Sequence, residues 1–261
     1  MLIRIRFCLF LSILFSFLTG HAGEHFRLYS NKPQVQAELV EIENRIPLVV
    51  RQTIARPIKI KFKELDKNSK IYFGCERELK NIETSIAARV NTLFKIQDIS
   101  EIEVHTGYLH ELQKNPHRQV CGASVSTHFA RAVTHEIIHI FDASISPSAD
   151  EIKYTKRYCV RRGPQGRSSS QTQTGLCKNI KRKWRYSNSV RFLNLDNWST
   201  TRSTKNVLQQ NALDPYVFTS ARESFAVQAE AFLYDPTFAC HKPGMSSYYS
   251  EIFNVEPLGG H

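Results

Sequence analysis

Apolar and polar residues along this 261-residue chain recur with two different periods, and the switches between them mark out its elements. Residues 34–53 and 78–95 space their apolar positions three and four apart, the repeat of an amphipathic helix. Between these stretches PIKIKFKEL (57–65) alternates strictly, which predicts a half-exposed strand, and IYFGC (71–75) and EIEVH (101–105) read as two shorter ones. Thr127–Ala143 then brings together Phe129, Ala132, Val133, Ile137, Ile138, Ile140 and Phe141, the apolar load of a core helix. A second apolar helix carries Phe225, Ala226, Val227, Ala229, Phe232 and Leu233. It opens at Ser220, an N-cap residue with Glu223 three positions on, and stops at Asp235-Pro236. Strands early and apolar helices late predict an α+β fold.

The N-terminus departs from this pattern. A basic MLIRIR, an apolar core over 7–18, and small residues at Gly20 and Ala22 predict a secretory signal peptide, residues 1–22, cut after Ala22. The apolar core is too short to span a bilayer, and Cys8 lies inside it, away from any cleavage site. Residues 23–261 are long enough for one domain, with an insertion at about 146–206. Export would place the protein in the periplasm or outside the cell.

Candidate chemistry centres on His135-Glu136-Ile137-Ile138-His139. Residues four apart share a helix face, so His135 and His139 can turn ring nitrogens toward one ion while Glu136 projects beside it toward a water. Three protein ligands with one open position is the arrangement of a catalytic zinc. Embedded in a core helix, two imidazoles and a carboxylate need partners, and Zn²⁺ would be one; a polar stripe on a half-buried helix is the plainer alternative. Glu223 is the candidate third ligand, although in a capping box it would only start its helix. Glu230, seven residues on, returns to the same face as a support. Ligand type alone leaves manganese or cobalt open as well. His128, seven before His135, shares its face.

HEIIHIFD and ESFAVQAEAF together resemble the gluzincin metallopeptidases, in particular the Mlc titration factor peptidases and the anthrax lethal factor catalytic domain. The stretch from Cys121-Gly122 to ESFAVQAEAFLYDPTFAC is also similar to a family of exported bacterial zincin-like proteins. The likeness covers two short blocks and leaves the first part of the mature chain and the insertion outside it. It implies a zincin-like domain with a small mixed sheet, Zn²⁺ on His135, His139 and Glu223, and Glu136 as general base. It further implies Tyr216 as donor to the oxyanion, with Asp142 and Glu230 orienting the ligand imidazoles. Such folds take a peptide substrate as an added strand on a sheet edge, for which 101–105 is the nominated strand.

Export also implies disulfides among the five mature cysteines. Cys159 and Cys177 bracket a polar stretch, and pairing them would contribute roughly 3 kcal/mol on a chain-entropy account. Cys121 with Cys240 is the preferred second pair, leaving Cys75. Charge is concentrated: the chain's formal value is +11, and residues 152–191 hold twelve Lys and Arg with no Asp or Glu. That composition predicts a solvated loop outside the core, or an arm for anionic lipid head groups or envelope polymers. Tyr154, Tyr158, Trp184 and Tyr186 lie among the basic residues, which would suit nucleic acid stacking, but export makes nucleic acid a poor natural partner. Three functions remain in view: an exported zinc peptidase acting on protein or peptide, a zincin-fold envelope-binding protein without turnover, and a zinc amidase acting on peptidoglycan. An intact Glu136 favours a hydrolase.

Overall fold

A computed structural model of the chain describes residues 26–65, 88–90, 100–120, 122–162, 180, 184–196 and 220–258. The alternation read at 57–65 forms strand β2, Pro57–Lys63, with Ile58 and Ile60 buried. β2 runs parallel to β1 (Arg27–Tyr29) on one side and to Glu101–His105 on the other, setting Ile60 opposite Ile102. Glu101–His105 is β4; β3, Ala88–Val90, pairs antiparallel to it, and the sheet order is β1-β2-β4-β3. Residues 101–105 are therefore an interior strand, and the nominated edge belongs to β3. Ala88–Val90 was expected inside a helix; the ladder offered by β4 overrides the local spacing there. Residues 71–75 lie outside the described residues, as does most of 78–95.

Parallel neighbours need a crossover, and between β1 and β2 it is helical. Residues 34–53 were read as one helix. They divide into a 3-10 turn at Pro33–Val35, α1 at Gln36–Arg45 and α2 at Leu48–Ile54, interrupted by Pro47, which lacks the N–H a continuing helix requires. α3, Thr106–Lys114, follows β4 directly.

A two-stranded ribbon, β5 (Gln119–Val120) and β6 (Ala123–Ser124), turns through Gly122 at φ +82° and feeds into α4, Val125–Ser144. Ser124 Oγ caps α4 by accepting from Thr127 N at 3.1 Å. His128 Nε2 is 2.9 Å from the Val120 carbonyl oxygen, so this histidine helps join ribbon to helix. α4 packs on β4 and β3, on α1 to α3, and on α7, Ala221–Tyr234, burying Phe129, Val133, Ile137, Ile138, Ile140 and Phe141 completely. Ala226 and Ala229, also fully buried, leave little bulk on α7. Its polar positions are answered by Asp196, which accepts from Ser224 Oγ at 2.7 Å and Gln228 Nε2 at 2.6 Å. Short α8 (Phe238–His241) and α9 (Pro243–Phe253) close the chain; Tyr249 of α9 donates its hydroxyl to the Phe225 carbonyl at 2.8 Å.

The basic segment corrects the expectation of a loop outside the core. Ala149–Arg162 is helix α5, and the stretch after it contains a 3-10 turn, Tyr186–Asn188, and α6, Val190–Leu195. Trp184, Val190, Phe192 and Leu193 are buried. The Tyr186 ring stacks on Phe141 of α4 (5.8 Å between centroids) and on Phe225 of α7 (6.2 Å). Aromatic area outweighs the flanking charge, because the Lys and Arg around it do not have to enter the core with it.

Cys159, on α5, is disulfide-bonded; its expected partner Cys177 lies outside the described residues, as do Cys121 and Cys75. Cys240 is a free, exposed thiol, so the Cys121–Cys240 pair does not form. α8 turns Phe238 inward, and a residue two positions on in a helix faces nearly the opposite way. Among the described residues no helix is long and apolar enough to cross a membrane. The described elements make an α+β fold with a small mixed sheet.

Phe225 touches Tyr186, Phe192 and Tyr249 and is fully buried. Phe225→Ala should lower the unfolding free energy by roughly 3–5 kcal/mol, measured by denaturant titration; a loss under about 1 kcal/mol would mean this cluster does not anchor α7.

Candidate metal centre

α4 places His135 and His139 one turn apart on the face toward α7, their rings edge to face at 4.6 Å. His135, Glu136 and His139 are 9%, 7% and 4% exposed. From α7 Glu223 arrives opposite them. Ser220 Oγ does cap that helix, accepting from Glu223 N at 3.1 Å. The Glu223 carboxylate goes elsewhere: its Oε2 is 3.0 Å from His135 Nε2 and 3.0 Å from His139 Nε2. Capping and ligation are compatible because the first uses the backbone amide of Glu223 and the second its side chain.

These three donor atoms lie within 4.8 Å of one another, in the one His/Cys/Asp/Glu group among the described residues close enough to share an ion. The fit can be tested by geometry. Donors bound at about 2.1 Å around one tetrahedral ion stand roughly 3.4 Å apart, a few tenths of an ångström more than the two nitrogen–oxygen separations here. Two imidazoles and one carboxylate also form a donor set suited to Zn²⁺. The residues present fit a metal ion.

Charge at the centre is divided unevenly. Burial disfavours the imidazolium of His135, but the Glu223 and Glu230 carboxylates bonded to it, with Glu136 nearby, reverse this and raise its pKa to about 10. At His139 burial prevails over the bond to Glu223, the His135 charge adds to it, and the pKa falls to about 4. Burial works against ionised Glu223 too, yet the two imidazoles hold its carboxyl well below the usual range.

Glu230 lies where a support for His135 would be, with Oε2 3.6 Å from His135 Nδ1. Its other oxygen accepts from Arg131 Nε. Arg131 precedes His135 by one turn of α4, a spacing visible in the sequence, but nothing there paired it with a glutamate on α7.

Asp142 does not orient an imidazole. Fully buried, it accepts from Ser187 N at 3.0 Å and Ser187 Oγ at 2.5 Å, and Nδ1 of His139 is buried without a hydrogen-bond partner. Three residues beyond His139, Asp142 stands about one turn further along α4, beside the Tyr186–Asn188 turn, where Ser187 takes both its oxygens. Burial raises the Asp142 pKa, and the two bonds from Ser187 oppose that rise. Tyr216 lies outside the described residues. Sequence reasoning also passed over Ser187, which holds Asp142, and Arg222, which directly precedes Glu223 and whose charge opposes a proton on His139.

Residues 26–260 match the family model described as Domain of unknown function (DUF7844). No curated protein and no solved structure matches the chain.

At neutral pH a divalent ion must displace the His135 proton. Protons and metal compete, so affinity should increase as pH rises toward about 10, with about one proton released per ion bound. Calorimetry at pH 7 in buffers of differing ionisation enthalpy measures that number; zero would contradict this charge distribution. Glu223→Gln should melt near wild type, because the Ser220 cap is kept, yet bind Zn²⁺ at least about tenfold more weakly. Unchanged affinity would remove Glu223 from the ligand set.

Proposed function

The chain belongs to the DUF7844 family, and we propose that it is an exported zinc-dependent hydrolase of zincin type, cleaving peptide bonds. One observation carries this reading: the convergence of His135 Nε2, His139 Nε2 and Glu223 Oε2, with Glu136 on the same turn of α4. Support for the zincin assignment comes from the order of parts, a small sheet followed by the histidine helix and then the glutamate helix. Support for export comes from the residue pattern of 1–22, which lies outside the described residues.

His135, His139 and Glu223 would hold the metal. When bound, Zn²⁺ supplies a Lewis acid that polarises a carbonyl and makes a water acidic enough to lose a proton near neutral pH. Glu136 would serve as the general base that accepts a proton from the activated water and as the acid that passes it to the leaving amine. Glu230, itself fixed by Arg131, steadies the His135 ring through Nδ1. Tyr216 is the proposed donor to the oxyanion. Burial of the two histidines and Glu136 keeps bulk water from competing for the same hydrogen bonds.

Metal analysis and a broad peptide-library assay on wild type and Glu136→Gln test the proposal together. Both proteins should carry one Zn²⁺, while the variant loses roughly 10²–10⁴-fold in turnover. Equal cleavage by the two proteins, or zinc with no cleavage by either, would leave a metal-binding envelope protein. Cleavage confined to cell-wall peptides would make the enzyme an amidase with the same metal chemistry.

A further inference from the structure

Helix α5 sorts its residues by face. Lys153, Tyr154, Lys156 and Arg157 are exposed, and the helical repeat puts them on one contiguous arc. Thr155, fully buried, marks the opposite side, with Glu151, Ile152 and disulfide-bonded Cys159 half-buried around it. α5 thus lies on the surface with its cations outward. Its two acids, Asp150 and Glu151, are confined to the first turn, where they complement the helix end. Every charged residue after them in α5 is basic.

Several other surface cations are paired. Lys61 and Lys63 of β2 reach Glu101 and Glu103 of β4 at 2.5 and 3.0 Å, Arg118 reaches Glu111 at 2.5 Å, and Arg191 takes both oxygens of Glu251. Lys153, Lys156 and Arg157 have no ion pair among the described residues. Standing three and four apart, they repel one another along the helix. The surrounding sequence offers no relief. Residues 152–191 hold twelve Lys and Arg and no acid, more positive charge than the net +11 of the whole chain. Such a face attracts an external anion. Tyr154, 49% exposed, borders the cations, and a ring with a polar tip suits the head-group level of a membrane. Lys and Arg stems add apolar contact there while their charges meet phosphate. Attraction to an anionic surface accumulates with each cation that reaches it, and one helix presents three together.

We propose that this face of α5 docks the protein on a bilayer surface that carries anionic phospholipid, with Lys153, Lys156 and Arg157 on the phosphates and Tyr154 at head-group level. The contact is peripheral and leaves the hydrocarbon core untouched. It does not rest on the hydrolase reading, because α5 contributes no ligand to the metal centre. Residues 145–148 alone link α5 to α4, so a protein docked in this way is tethered at the end of the histidine helix.

Co-sedimentation of the full chain with vesicles tests this, using phosphatidylcholine alone and phosphatidylcholine mixed with phosphatidylglycerol. Wild type should bind the mixed vesicles about tenfold or more tighter, and the preference should shrink as salt is raised. Lys153→Gln/Lys156→Gln/Arg157→Gln should lose about tenfold or more of the affinity for mixed vesicles. Lys59→Gln/Lys61→Gln/Lys63→Gln, the same charge change made on β2, should lose less than about threefold. All proteins keep residues 1–22, so that segment contributes equally to each comparison between them. Tyr154→Ser should weaken binding severalfold and leave the salt dependence unchanged. Equal binding of wild type to the two kinds of vesicle overturns the proposal without any variant. So do equal losses in the two triple variants, since net charge and not this face would then be responsible. Soluble polyphosphate bound as tightly as the mixed vesicles, with Tyr154→Ser without effect, would overturn the bilayer assignment and give α5 a free polymer instead. The melting temperature of each variant reports whether its fold is intact.

Discussion

The close packing of α4 against α7 is the constraint on which the rest of the molecule depends. Two imidazoles from one helix meet a single carboxylate oxygen from the other at 3.0 Å. Around that meeting the two helices are held by buried apolar side chains and by two further polar pairs, Arg131 with Glu230 and Thr134 with Tyr234. Ala226 and Ala229 keep the interface thin. Asp196 supplies the hydrogen bonds that Ser224 and Gln228 would lack in such surroundings. A desolvated cluster of this kind is unfavourable for either charge by itself. The proton on His135 and the ionised Glu223 are each sustained by the other, and a divalent cation would take the proton's place.

Much of this was legible in the residues, for identifiable reasons. The four-residue spacing of His135 and His139 specifies a common face on any helix, and the apolar run around them makes helix the natural reading. Ser220 marked the start of α7 because capping is local chemistry. The alternation in Pro57–Lys63 survives as a strand because one face is buried and the other carries lysines. Local signals failed where a distant partner decided the outcome. Ala88–Val90 is a strand through its pairing with β4, and 101–105 is interior for the same reason. Asp142 looked like a support for an imidazole by proximity in sequence, but its partner is Ser187, forty-five residues on, which the Tyr186–Asn188 turn brings to that level of α4. Cys240 follows the core helix in order, yet it faces solvent because Phe238 takes the inward position.

The basic segment shows how composition misleads when it is averaged. Twelve cations without an acid read as solvated chain, and the average concealed a short aromatic run with a different fate. Trp184, Tyr186 and Phe192 join the core that includes Phe141, Phe225 and Tyr248, while Arg191 remains outside, paired with Glu251 and lying over the Tyr248 ring at 5.2 Å. The same run delivers Ser187 to the Asp142 carboxylate and the Tyr186 ring to Phe141 of α4 and Phe225 of α7.

The Tyr186 ring is a spacer inserted between the two ligand-bearing helices, and the chain that carries it is anchored to α4 by the Asp142 clamp. Its two faces are taken by Phe141 and Phe225, so one aromatic side chain sets how far the histidine helix stands from the start of the helix that bears Glu223.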